Sequence, residues 1–157
     1  MAVAALTARR QILTNIIIQK KQNKNLTWEE IGKTIHRSPL WTASACLGQN
    51  SMDEPSAKKL VSCLEIIDPT DAVQTLCAPP IKGQTDFSIL CQDPVIARLQ
   101  EINYVYGLAL KEIINEKFGD GIMSAVDFTM DVQKVADPNG DRVEVTMSGK
   151  FLPYKKW

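Results

Sequence analysis

Over roughly the first half of the chain, apolar side chains recur at helical spacing. Ile12, Leu13, Ile16 and Ile17 share one face, which predicts a helix running from a Thr7 cap to about Gln22. Thr27-Trp28-Glu29-Glu30 marks a second start: Thr27 can accept from the Glu30 amide while the Glu30 carboxylate reaches back, and Ile31 and Ile35 follow on one face. Ser38-Pro39 opens a third helix, with proline at the first helical position and Gly48 placed to stop it after Leu47. Asp53 or Glu54 with Pro55 opens a fourth carrying Ala57, Leu60, Val61 and Leu64, and Asp71 to Cys77 reads as a short fifth. Residues 1–78 are thus expected to form an N-terminal helical bundle.

The periodicity stops in APPIKGQTDFSILCQD, where Pro79-Pro80 and Gly83 mark a linker over 79–93. Asp93-Pro94 then repeats the cap-plus-proline signature, and 94–118 is the longest helical pattern, stopped by Gly119. At about 1.5 Å per residue it spans nearly 40 Å, more than the core of one small domain covers. Its broad apolar face includes Ile96, Leu99, Ile102, Val105, Leu110 and Ile113, so part of it is expected to pack on other subunits. Beyond Gly119-Asp120-Gly121 the period becomes two. Val126, Phe128, Met130 and Val132 alternate with polar residues, Pro138-Asn139-Gly140 turns the chain, and Val143, Val145 and Met147 continue a β-hairpin. Two strands alone are marginal in water, so the hairpin needs a partner, most economically from another chain. The predicted fold class is α+β: a helical bundle with a helix-turn-helix-like layout, then a long helix and a hairpin that pairs with another subunit, with 94–157 as a C-terminal catalytic and oligomerisation domain.

Composition narrows the function. A chain of 157 residues with 45% hydrophobic content can build a real core, which excludes intrinsic disorder. Eighteen Lys+Arg balance eighteen Asp+Glu, and neither half is basic enough to advertise nucleic acid or an anionic membrane. No apolar run approaches the roughly 18 residues of a membrane span, and the start MAVAALTARRQ does not read as a secretory signal; a cytoplasmic protein is expected. Cys46, Cys63, Cys77 and Cys91 have no close pairing and read as reduced thiols in or near the core.

LTWEEIGKTIHRSPLWTASACLGQ has the layout of a helix-turn-helix, so a DNA-binding regulator with an oligomerisation domain is the alternative reading. Its reading helix would be Pro39 to Leu47, which offers only Thr42 and Ser44, with Arg37 before it and Gln49 after. That is thin for a helix that must read base edges and hold phosphates. Packing or subunit contact suits it better. Lys20, Lys21 and Lys24 read as a solvated helix end.

The single histidine, His36, falls at a helix end. With no Cys-x-x-Cys either, a zinc site or a Ser-His-Asp triad lacks material, and no metal is expected. Arg98 and Glu101 stand three apart on the long helix and can touch. Flanked by Leu99 and Ile102, they are expected to lie on a partly covered face, as a brace between subunits or as an anion site; spacing alone favours the brace. Ser124, in GDGIMSAVDF, reads as a turn serine. Such a turn can also aim free backbone N–H groups at an anion, but no histidine is at hand to make the serine a nucleophile.

EKFGDGIMSAVDF, followed by DVQKVADPNGDRVEVTMSGKFLPY, resembles the C-terminal domain of cyanases, also called cyanate hydratases or cyanate lyases. DPVIARLQEINYVYGLALKEIINEKFGDGI is similar to that family's long helix, and LTWEEIGKTI with the CLGQ that follows resembles its N-terminal bundle. The resemblance implies catalytic roles for Arg98, Glu101 and Ser124. It implies reaction of cyanate with bicarbonate to carbamate and carbon dioxide, with carbamate then giving ammonia and more carbon dioxide. It also implies a decamer built from dimers, with active sites at subunit interfaces. Where the family commonly carries aromatic residues beside the arginine, this chain has Ala97, Leu99 and Gln100.

Both substrates would be anions, so Arg98 would offset their repulsion while Ser124 and the backbone N–H of Ala125 orient a reacting atom. Glu101 would hold Arg98. Bicarbonate would be the co-substrate and carry its own proton, so no cofactor, nucleic acid or membrane partner is expected.

Overall fold

The structure, a computed structural model, describes residues 2–82 and 86–157, with side chains from residue 5 onward. Gly83, one of the linker markers, lies outside the described residues. The chain divides into two compact units, Met1–Lys82 with Asp131–Val145, and Gly83–Met130 with Thr146–Trp157.

The first unit is built on five helices: α1 (Ala2–Asn23), α2 (Trp28–Ile35), α3 (Pro39–Cys46), α4 (Glu54–Leu64) and α5 (Pro69–Cys77). Helix α1 is already formed at Ala2, so Thr7 lies within it and does not cap it. The alanine-rich opening has the highest helix propensity of any residue type and carries the helix past the expected start. The α2 capping box is complete: the Thr27 amide donates to Glu30 Oε2 at 2.7 Å and the Glu30 amide to Thr27 Oγ1 at 3.1 Å. Ser38 and Asp53 cap α3 and α4, accepting from the amides of Trp41 and Ser56. Helix α5 begins at Pro69 and not at Asp71, because Asp68 is its cap and accepts from the Asp71 amide at 3.1 Å. His36 ends α2 in the left-handed conformation, φ 58°, exposed to solvent.

Ile17, Ile31, Leu60 and Leu64 are fully buried at the centre of this bundle, with Ile35, Ala57 and Leu76 around them. Arg10 of α1 fastens the end of α5, donating to the carbonyls of Thr75 (2.8 Å), Ala78 and Asn50. Of the three lysines read as a solvated helix end, two have partners, Lys21 in α1 and Lys24 just beyond it. Lys21 lies 5.1 Å from the centre of the Trp28 ring, and Lys24 pairs with Glu65 at 2.7 Å. All four cysteines are free thiols. Cys46 is buried, and burial pushes its thiol up to about 12.

The residues that a DNA-reading α3 would use are turned inward or paired. Thr42 is fully buried and donates to the Ser38 carbonyl, Ser44 accepts from Asn50, and Arg37 bonds Asp53 at 2.7 Å beside the Trp41 ring.

The second unit holds α6 (Phe87–Leu90), a short turn of helix inside the expected linker, and α7 (Pro94–Phe118). Asp93 starts α7 by accepting from the amides of Val95 and Ile96, and Gly119 ends it at φ 89°, a conformation that favours glycine. None of the 25 residues of α7 is buried. Strands β1 (Gly121–Val135) and β2 (Arg142–Pro153) form the antiparallel hairpin. Both are longer than the alternation suggested, and β1 begins at Gly121. At the base of the hairpin, Phe118 stacks on Phe151 with ring centres 5.3 Å apart, and the Tyr154 amide donates to the Asp120 carbonyl. Among the described residues, no helix is long and apolar enough to cross a membrane.

Candidate active site

Arg98 and Glu101 meet as their spacing predicts: Arg98 Nη1 donates to Glu101 Oε2 across one turn of α7. The expected cover is absent from the chain itself, with the Arg98 side chain 70% and the Glu101 side chain 55% exposed. Leu99 is exposed as well, and Ala97 is half-buried. A pair this wet is worth a few tenths of a kcal/mol as a brace. Its chemical value lies in the donors left over. A guanidinium has five N–H groups and Glu101 occupies one of them, so the carboxylate orients the arginine and leaves most of its donors open to an anion.

Ser124 lies in strand β1 and not in a turn. Its side chain bends the strand's own hydrogen bonding: Oγ accepts from the Val126 amide at 3.1 Å and from the Asp127 amide at 3.0 Å. The free N–H groups expected near an anion are therefore not these two, which already have an acceptor. A serine oxygen has two lone pairs, and both are used, so what the side chain still offers is its O–H. Ser124 is poised as a hydrogen-bond donor. No histidine lies at hand to take that proton and make the oxygen a nucleophile. Ala125, next along the strand, is exposed.

No hydrogen bond or ion pair joins Ser124 to the Arg98–Glu101 pair, and the helix explains why. Between Arg98 and Phe118, α7 rises about 30 Å. The start of β1 sits against the far half of that helix, where Gly107, Leu110, Lys111 and Ile114 share a cavity of about 330 Å³ with Ile122 and Met123. Even Gly107 is about 13 Å up the helix from Arg98. Within one chain, the candidate residues Arg98 and Ser124 therefore lie at separate places.

Gly149 escaped the sequence reading. It lies on β2 beside Ser124, and a Cβ built on it would fall 2.3 Å from the Ser124 carbonyl oxygen. The available signal was a glycine interrupting a β-strand pattern, which often marks close backbone approach. Among the described residues, no three His, Cys, Asp or Glu side chains gather as a metal ion would need.

An N-terminal helical bundle, a long helix without a buried face and a terminal β-hairpin define an α+β protein whose candidate anion-binding groups, Arg98 and Ser124, lie at separate places. The comparisons give that class its family. "Cyanate hydratase, N-terminal" matches residues 10–80 and "Cyanate lyase C-terminal domain" matches 88–156. The chain is 52% identical to the cyanate hydratase of Teredinibacter turnerae and 48% identical to that of Prochlorococcus marinus subsp. pastoris. Each match runs over 145 residues and covers 92% of this chain and 97% of the relative. Among solved structures it is similar to the crystal structure of cyanase from T. urticae, with a TM-score of 0.77 and 34% identity over 90% of this chain and 96% of that one. The chain belongs to the cyanate hydratase family.

Proposed function

We propose that this chain is a cyanate hydratase that joins cyanate to bicarbonate. The two anions and one proton give carbamate and carbon dioxide, and carbamate with a further proton gives ammonia and a second carbon dioxide. Bringing two unit anions to 4 Å costs about 1 kcal/mol in water and about 4 kcal/mol at an effective dielectric near 20. The cation that offsets this repulsion is Arg98, held by Glu101. Ser124, with the backbone N–H of Ala125 beside it, donates to an oxygen or nitrogen of the reacting pair, so the rate comes from positioning and preorganised charge. Bicarbonate is the co-substrate and brings the nucleophilic oxygen with its own proton. The mechanism therefore calls on no side-chain base, metal or organic cofactor.

Beside the family membership, the observation that carries this reading is the state of Ser124. Its oxygen accepts from two backbone N–H groups, which leaves the O–H to donate to an anion. The separation of Arg98 from Ser124 along α7, and the lack of any buried residue on that helix, support a site assembled between chains. The assembly is a homo-oligomer, a decamer built from dimers, in the cytoplasm. Within each chain, 1–78 is a packing bundle, 79–93 a linker and 94–157 the catalytic and oligomerisation domain. Against the DNA-binding alternative, Arg37, Thr42 and Ser44 are already bonded within the bundle, which leaves the exposed Gln49 as the remaining reader of these four.

The test is ammonia release from cyanate by the purified protein, assayed with bicarbonate and after its removal. Release that depends on bicarbonate is expected. No release with both anions plentiful would overturn the proposal.

A further inference from the structure

Ser124 is 6% exposed, yet the strand residues on either side of it, Met123 and Ala125, are exposed. Across the hairpin, Gly149 of β2 lies against its backbone. A Cβ at that position would stand 2.3 Å from the Ser124 carbonyl oxygen, 2.6 Å from Met123 Cγ and 3.3 Å from Phe128 Cδ2. Gly149 has no positive φ, so nothing in its own conformation asks for glycine. What asks for it is space, and the tightest contact is with backbone, which cannot swing aside as a side chain end can.

That carbonyl belongs to the residue whose Oγ collects the amides of Val126 and Asp127. The two bonds set the direction of the remaining O–H, and both are local to β1, so they depend on the orientation of the Ser124 peptide. Pushing the carbonyl away by the roughly 1 Å that a methyl group requires would rotate the Ser124 peptide and strain the pair of bonds. From this geometry we infer that Gly149 is a positioning residue for Ser124: its missing side chain lets the strand sit where the serine O–H points at the substrate anion. The inference rests on the donor role given to Ser124 above.

The experiment is a double-mutant cycle in the full-length assembled protein, comparing wild type, Ser124→Ala, Gly149→Ala and the double variant by bicarbonate-dependent ammonia release. Gly149→Ala is expected to lower kcat/KM by about 100-fold, the usual effect of a displacement near 1 Å. In the Ser124→Ala background the same change should matter by less than about threefold, because its target is gone. A glycine serving only the fold would weaken both backgrounds equally, and that result would overturn the inference.

Met123→Ala with Gly149→Ala removes the closest side-chain crowding but keeps the collision with the carbonyl, so this pair should stay as impaired as Gly149→Ala alone. Recovery of wild-type activity would contradict the account, as would failure of both Gly149 variants to assemble, since the glycine would then serve the architecture. Should Ser124→Ala itself keep wild-type activity, it is the donor role of Ser124 that fails, a result separable from wild-type behaviour of Gly149→Ala over an essential serine.

Discussion

Replacing Val105 and Ile113 together by aspartate should separate the chain from its copies and abolish turnover while leaving each chain folded. Both residues lie on α7, 59% and 49% exposed, and neither is needed to fill a core within the chain. Full burial of a Val or Ile side chain is worth about 1.5–3 kcal/mol, so covering the exposed half of each contributes about 1 kcal/mol. Two residues give about 2 kcal/mol per chain. A two-fold contact presents each of them twice, for about 4 kcal/mol, or nearly 1,000-fold in dissociation constant. Aspartate adds the cost of burying unpaired charge, several kcal/mol per group, so 1,000-fold is a floor. Sedimentation velocity at micromolar concentration reads the association, circular dichroism the helix content, and ammonia release from the same samples the activity. Wild type should sediment as an oligomer, and the double variant as a smaller, inactive species with native helicity. An aspartate variant that assembles like wild type would refute the reasoning, as would wild type that is fully active as a monomer.

Two further outcomes follow from contacts inside the first unit. Arg10→Met removes the donors that fasten the end of α5 through Thr75, Ala78 and Asn50, and should cost about 2–3 kcal/mol, seen as a lower midpoint in chemical denaturation; an unchanged midpoint would mean that water replaces these bonds without loss. The Arg37 guanidinium, with the amide and hydroxyl of Ser56, holds the Asp53 carboxyl well below its ordinary value of 3.8. A depressed carboxyl stabilises the fold above its unfolded value and stops doing so as pH falls through its folded value. The stability gap between wild type and Asp53→Asn, read by thermal unfolding, should therefore be full near pH 6 and shrink below about pH 4. The pair is exposed and the gap modest; a gap that widens on acidification would contradict the assignment.

What was legible in the sequence was local. The capping box at Thr27–Glu30, the caps at Ser38 and Asp53, and the Arg98–Glu101 pair depend on residues three or four apart, so spacing alone predicts them. The bounds that moved were set by neighbours. Gly121 and Ser124 looked like a turn because glycine and serine cluster there, but Phe151 and Leu152 lie beside Gly121 and draw it into a strand. Lys21 and Lys24 read as solvated because Trp28 and Glu65 come close only after folding.

The cover expected over Arg98 was inferred from its apolar flanks, and the single chain does not supply it. Gly149 was silent for a related reason: its importance depends on hairpin register, which places it against the carbonyl of Ser124 and which no local motif encodes.

The core of the account is that a guanidinium from one chain and a hydroxyl from another hold two like-charged ions together. Subunit mixing tests this most directly. Arg98→Ala and Ser124→Ala proteins, each expected to be strongly impaired alone, are unfolded, combined in equal amounts and refolded together. If the two groups come from different chains, about a quarter of the sites in the hybrids recover both, and bicarbonate-dependent ammonia release returns to that fraction of wild type. A refolded mixture that assembles normally yet stays as inactive as its parents would contradict the shared site.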